Sequence, residues 1–372
     1  MRVAIITGAM PLAKCGVGDY TDVLVTNLVK AGVNVDVITD VKYGESDKSY
    51  TLHNVVKKWY GFTFFSIILS TLKNINCDVV HIQYPTISYK GFVEINILPL
   101  ILRLKGYKVV YTLHEYSQRP FLSRVRRWPS VFGSHNIIVV EDIFKKDLVK
   151  LPFFKSSKDK IEVIHIGANI PKSSYSNDEI LNVKKELFGD YDGLVASYFG
   201  FVNSNKVLLV TIETMGRLKK ENKLFFKLLI ISHLDLNDSY QSEVLKLITQ
   251  YDLTSEVKVT GFLPKEDVGN YIACSDFGIS LFANGLSVRN GSFLALYQEG
   301  IKIIATKPSE DYPIALNNVI FIDNNRVDEL KNALLKISHI DLSKTHEQIT
   351  DWDEIAQKHV LVYQRVNADV IK

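Results

Sequence analysis

Apolar and polar positions along the chain switch between two periods. Short β-rich runs read as buried parallel strands, and longer stretches between them place apolar residues three and four apart, as amphipathic helices do. Val3–Thr7 is such a strand. It is followed by the loop Ala9–Gly18, a helix over Tyr20–Lys30 carrying Val23, Leu24, Leu28 and Val29, and a second strand over Val33–Thr39. Strand, loop, helix, strand at this length is a βαβ unit. The alternation continues with strands Val79–Gln83, Val109–His114, Ile137–Val140 and Ile161–Ile166, and helices Val93–Leu104 and Asp142–Lys150. Polar, turn-rich residues then place a domain boundary near Ala168–Asn177. Beyond it the pattern restarts. Strands are predicted over Val195–Gly200, Phe226–Ser232, Val257–Gly261, Phe277–Phe282, Ile301–Ala305 and Val319–Ile322, and helices over Lys206–Leu218, Ser242–Tyr251, Glu266–Cys274 and Ser292–Gln298. A long amphipathic helix, Trp352–Val370, closes the chain. The pattern predicts two separate doubly wound α/β domains.

Composition narrows the function classes. At 372 residues the chain has material for two cores, and its 47% hydrophobic and 23% charged content is that of an ordinary soluble globular protein. A net charge of +3 gives no argument for nucleic acid. Cys15, Cys77 and Cys274 are widely spaced and odd in number, which suggests a reduced, cytoplasmic setting. The MRVAIITGAM start reads as a strand and not as a secretory signal, and the apolar runs Phe62–Leu72 and Ile95–Leu102 are too short to span a bilayer. H-E-x-x-H, C-x-x-C and paired aspartates do not occur in the sequence, so a metal is not expected.

Two loops suit phosphate. Gly16 and Gly18 stand just before the first helix, where backbone can approach an anion closely; Thr21 breaks the G-x-G-x-x-G fingerprint, so a NAD site is not predicted. The stretch Phe282–Thr306 has a turn-rich loop with Asn284, Gly285, Arg289, Asn290 and Gly291 between a strand and a helix that starts at Ser292. Loop amides, the helix N-terminus and the Arg289 guanidinium there suit a phosphate, although an ordinary strand-to-helix turn has the same residues. His81 and Gln83, before Tyr84-Pro85, and His114-Glu115 are polar groups at predicted strand ends. Such ends are where open α/β sheets bind ligands. Asp19 reads as the cap of the first helix. Arg119–Trp128 (RPFLSRVRRW) mixes arginine with aromatic and aliphatic residues, as a solvated helix face or an anionic-lipid contact would.

The segments CGVGDYTDVLVTNLVKAG, DVVHIQYP, VVYTLHE, VIHIGANIP, YFGFVNSNK, VTGFLP, YIACSDFGISLF, SVRNGSFLALYQEG and DWDEIAQKHVLVY, taken in order, resemble the retaining glycosyltransferases of family 4. That resemblance implies the GT-B fold, two Rossmann-like domains facing a cleft with the last helix crossing back to the first. It implies an N-terminal acceptor-side domain over 1–170, a nucleotide-sugar-binding domain over 171–350 and a closing helix over 351–372. It assigns Gly16 and Gly18 to the loop approaching the donor diphosphate, Gly200 and Lys206 to the donor phosphates, and His114 to the donor sugar and acceptor. His81, Gln83 and Glu115 fall on the acceptor side, and Ser287, Arg289, Asn290, Gly291 and Ser292 on the donor loop. The implied reaction moves a sugar from a nucleotide diphosphate to a glycan or lipid-linked hydroxyl with retention, without a metal or other cofactor, in bacterial surface-polysaccharide synthesis. It would run in the cytoplasm or at the inner face of the membrane.

Three departures stand out. Phe201 occupies the position of the family's arginine, and Ser287 and Ala295 occupy those of its two E-x7-E glutamates, with Glu299 out of register. The expectation is that Arg289 supplies the missing positive charge, so that His114, Lys206 and Arg289 carry catalysis. A sugar-nucleotide epimerase or phosphorylase, or a non-catalytic GT-B binding protein, are the alternatives.

Overall fold

The computed structural model describes residues 1–11, 13, 15–43, 49–308, 316–345 and 349–368, with the side chains of residues 157 and 206 excepted. The chain forms two compact units, Met1–Gly167 together with Thr350–Lys372, and Ala168–Ile349.

The first unit is built on a seven-stranded parallel sheet: β1 (Arg2–Ile6), β2 (Asn34–Asp40), β3 (Thr51–Val56), β4 (Val79–Tyr84), β5 (Val109–Leu113), β6 (Asn136–Val139) and β7 (Ile161–Val163), in the order β3-β2-β1-β4-β5-β6-β7. Helices cover both faces, so β4, β5 and β6 are buried throughout. That is why they read as mainly apolar runs, interrupted by His81, Gln83, Thr112 and Asn136. One face packs against Phe64, Ile68 and Leu72 of the helix Gly61–Ile75 and Leu98 of Glu94–Leu104. The other packs against Tyr20, Leu24 and Leu28 of Gly16–Lys30 and against Ile355, Val362 and Tyr363 of the closing helix Trp352–Ala368. Full burial of each such side chain is worth about 1.5–3 kcal/mol.

The second unit has six parallel strands: β8 (Leu194–Phe199), β9 (Phe226–Ile231), β10 (Val257–Val259), β11 (Phe277–Ser280), β12 (Lys302–Thr306) and β13 (Val319–Ile322), in the order β10-β9-β8-β11-β12-β13. Both sheets thus follow the doubly wound order, in which the connection reverses direction beside the first strand. The reversal falls between β1 and β4 in the first unit and between β8 and β11 in the second.

The edge strand β3 and the helix Val327–Ile337 lie outside the expected pattern, whereas Phe62–Leu72, which reads as a core helix, lies in the core-packed helix Gly61–Ile75. The helix Asn177–Phe188 occupies part of the stretch read as a polar boundary. It has no fully buried residue, its apolar face of Ile180, Val183 and Leu187 being only partly buried, and Ser176 and Glu179 form a reciprocal capping box that its sequence carried.

Candidate functional site

β4 and the C-terminal ends of β1 and β5 carry the first group of candidates. The helix after β1 starts at Gly16, with Cys15 at its N-cap, so Gly16 and Gly18 lie in the first helical turn and not in a loop before it. Asp19 likewise lies inside the helix, its amide donating to the Cys15 carbonyl at 3.1 Å, and is not its cap. Glycine is tolerated there because first-turn amides have no partner within the helix. The two glycines differ. A Cβ on Gly16 would meet open space, whereas one on Gly18 would stand 3.2 Å from the backbone of Ala9. A side chain at position 18 would thus require the segment after β1 to give by a few tenths of an ångström.

His81, Gln83 and His114 form one buried polar chain. His81 and Gln83 are fully enclosed in β4, and His114, the residue after β5, is 7% exposed. The His114 amide donates to the Tyr84 carbonyl at 2.8 Å, which continues the sheet register to the strand end. His114 Nε2 lies 2.8 Å from Gln83 Oε1, and Gln83 Nε2 lies 3.3 Å from His81 Nε2. The His81 ring is held on both sides, by Thr112 Oγ1 at 2.6 Å from Nε2 and Tyr363 Oη at 2.7 Å from Nδ1. Burial holds the His81 imidazole well below the usual histidine range, aided by the nearby His359 and His114 rings. His359, enclosed in the closing helix, donates from Nδ1 to the Ile355 carbonyl at 2.7 Å, and burial lowers it to about 4. Tyr20 packs edge-on against His114, with centroids 4.7 Å apart. His81 and Gln83 therefore stand behind His114, inside the sheet. Glu115 is partly exposed and forms an ion pair with Arg119, four residues on across a turn.

The ends of β8 and β11 carry the second group. Gly200 follows β8 with φ of 111°, a conformation L side chains rarely adopt. Phe201, which replaces the expected arginine, is 43% exposed. Lys206 closes a short turn, Ser204–Lys206, before the helix Leu208–Lys220; its side chain lies outside the described residues. The loop after β11 reaches this turn directly, the Ala283 amide donating to the Asn205 carbonyl at 2.7 Å. The base of the loop is clamped. Phe282 N–H donates to Thr306 Oγ1 at 3.1 Å, Thr306 Oγ1 to Asn325 Oδ1 at 2.6 Å, and Asn325 Nδ2 to the Phe282 carbonyl at 2.8 Å.

Ser287 to Ser292 are half-buried and form a tight turn into the helix Gly291–Gln298. Ser287 N–H donates to Asn290 Oδ1 at 2.7 Å and Arg289 N–H to Ser287 Oγ at 3.2 Å. Asn290 N–H donates to the Ser287 carbonyl at 3.0 Å and Gly291 N–H to the Arg289 carbonyl at 2.9 Å. Four amides expected to face an anion are thus engaged within the loop. The turn is pre-shaped by these internal bonds. Ala295 is fully buried, and Glu299 is buried at the far end of this helix, accepting from the Ser173 amide at 2.7 Å. Burial raises the Glu299 carboxyl, and its contact is with the backbone at the start of the second unit, away from the loop.

Residues 15–171, nearly all of the first sheet, match the family Glycosyltransferase Family 4. No protein of curated function matches the chain by sequence. Among solved structures, a glycosyltransferase from Rickettsia africae ESF-5 superposes with a TM-score of 0.77 at 16% identity, over 99% of each chain. The catalytic domain of starch synthase IV from Arabidopsis thaliana, bound to ADP and acarbose, gives 0.67 at 14% identity, over 99% of each chain. WaaG, a glycosyltransferase involved in lipopolysaccharide biosynthesis, gives 0.61 at 15%, over 100% of this chain and 99% of its own. The fold is that of the GT-B glycosyltransferases, and the similarity to the family 4 model extends over residues 15–171.

Proposed function

We propose that the protein is a retaining glycosyltransferase that moves a sugar from a nucleotide diphosphate to a hydroxyl of a glycan or lipid-linked oligosaccharide. One observation carries the reading. The candidate residues gather at the strand-order reversal of each sheet, where doubly wound folds bind ligands. Gly200, the Lys206 turn and the loop Ser287–Ser292 would take the donor, with Arg289 and Lys206 countering the diphosphate charge. Gly16, Gly18, His114 and Glu115 would serve the donor sugar and acceptor. The step is a front-face displacement. The acceptor oxygen bonds to the anomeric carbon as its bond to the diphosphate oxygen breaks, and that departing oxygen takes the acceptor proton. The protein's part is to position both substrates and stabilise charge growing on the diphosphate. Incubation with UDP-, GDP- and TDP-sugars tests the reading.

A lipid-linked acceptor agrees with one surface of the first unit. Phe121, Trp128, Phe153, Phe154 and Phe132 form a contiguous ring cluster with centroids 4.7–6.3 Å apart. Phe121 and Phe153 are more than half exposed, and Leu122 beside them is 77% exposed. Residues 119–160 carry ten lysines and arginines against four acidic residues, more net positive charge than the whole chain. Exposed rings within a cationic surround suit an anionic bilayer. Arg119, Arg124 and Arg127 are engaged within the protein, and Arg126, Lys155 and Lys158 are among the exposed cations of this stretch. The protein should float with vesicles containing phosphatidylglycerol, and Leu122→Glu with Phe153→Glu should weaken flotation. No binding to anionic vesicles contradicts the membrane contact. Among the described residues no helix is long and apolar enough to cross a membrane.

A further inference from the structure

We infer that Gln83 is a positioning residue that fixes which nitrogen of His114 carries the proton. The inference rests on the glycosyltransferase reading only for its functional consequence. Gln83 lies wholly inside the sheet with its amide between two imidazoles, the oxygen 2.8 Å from His114 Nε2 and the nitrogen 3.3 Å from His81 Nε2. A neutral imidazole has one donor and one acceptor nitrogen, and an amide has one end of each kind, so the choices are coupled.

With the Gln83 oxygen toward His114, Nε2 of His114 must donate. The Gln83 nitrogen then faces His81, whose Nε2 must accept, and the Thr112 hydroxyl donates to that same Nε2 at 2.6 Å. The His81 proton is left on Nδ1, directed at Tyr363 Oη at 2.7 Å. In this arrangement the Thr112 hydroxyl is the closer donor to the single Nε2 lone pair of His81, with the Gln83 amide the longer contact, and Tyr363 Oη accepts from Nδ1. Turning the amide over requires His81 and His114 to change tautomer together. The far end is held by the closing helix, since Tyr363 is fully buried and His359, one turn earlier, is bound to the Ile355 carbonyl. The proton on His114 is thereby set by β4 and by a helix some 280 residues further along the chain. His114 meets its remaining partners, sugar hydroxyls among them, as an acceptor through Nδ1.

Gln83→Met keeps most of the side-chain volume and removes both polar ends; Gln83→Glu keeps an oxygen toward His114. Nitrogen-15 spectra of histidine-labelled protein, with the His114 signal identified by its loss in His114→Gln, report the tautomer without any turnover. The wild type should show His114 protonated at Nε2. The Glu variant should keep that signature, and the Met variant should show mixed tautomers. In an active enzyme kcat/KM of the Met variant should also fall by about 10²-fold, the scale of a misplaced catalytic contact. A wild-type His114 protonated at Nδ1 overturns the inference, as does an unchanged signature in the Met variant or a lost one in the Glu variant. Absence of glycosyl transfer in the wild type would sink the enzymatic reading and leave the tautomer result standing.

Discussion

Replacing Arg289 with alanine is expected to lower turnover by about 10²–10³-fold, the cost of removing one preorganised charge-stabilising group. The size follows from what the donor loop lacks. Phe201 stands where an arginine was expected, and Ser287 and Ala295 where glutamates were. The structure sharpens the point, because the Ser287, Arg289, Asn290 and Gly291 amides are bonded within the loop. Positive charge at the diphosphate then falls to the Arg289 and Lys206 side chains in the proposed site. The substitution leaves the Arg289 backbone amide and its bond to Ser287 Oγ in place, so the turn should survive. If the charge acts on the departing diphosphate, kcat and kcat/KM should fall together. Near-wild-type turnover of the variant contradicts the assignment.

Acidification should destabilise the first unit through His359 and His81. Both are buried in the neutral form, and both are held below the ordinary histidine value of 6.5, His359 at about 4. The unfolded chain therefore binds protons between those values that the folded chain does not, and stability falls as pH drops. The stabilisation is fully present above 6.5 and is lost on the way down to about 4. For His359 alone this amounts to about 2 kcal/mol by pH 5 and about 3 kcal/mol in full. At roughly 2–4 °C per kcal/mol, the midpoint should fall by roughly 4–8 °C between pH 7.5 and 5. Glu299 in the second unit acts in the opposite sense, since its raised carboxyl loses stability as pH rises through its folded value. The two responses separate cleanly: Trp59, Trp128 and Trp352 are the chain's three tryptophans and all lie in the first unit, so their fluorescence follows that unit. A midpoint independent of pH over this range, or an equal shift in His359→Gln, contradicts the assignment.

The sheets were legible in the sequence because strands such as Val79–Tyr84 and Val109–Leu113 are buried on both faces and read as mainly apolar, β-rich runs. Strand β3 was not, since it lies at an edge and is half-exposed. The helix Asn177–Phe188 was missed because it buries no residue fully, although its capping box was present in the sequence. Gly16 and Gly18 misled in the other direction. Read as loop residues, they open a helix, one at a free face and one at a close approach to Ala9. At the site, the strand-end position of His114 was readable from the apolar run before it. That His81 and Gln83 stand behind it was not, because nothing local shows that Tyr363 returns to β4. Nor could loop composition reveal that Ser287 and Asn290 close the turn after β11 on itself.

The account depends most on donor use. Calorimetry with a panel of UDP-, GDP- and TDP-sugars, followed by mass and NMR analysis of the products, tests it directly. The prediction is tight binding of a nucleotide sugar, with transfer or slow hydrolysis that keeps the anomeric configuration. Binding followed by epimerisation of the sugar nucleotide would instead mark an epimerase, and no binding to any member of the panel would contradict the enzymatic reading altogether.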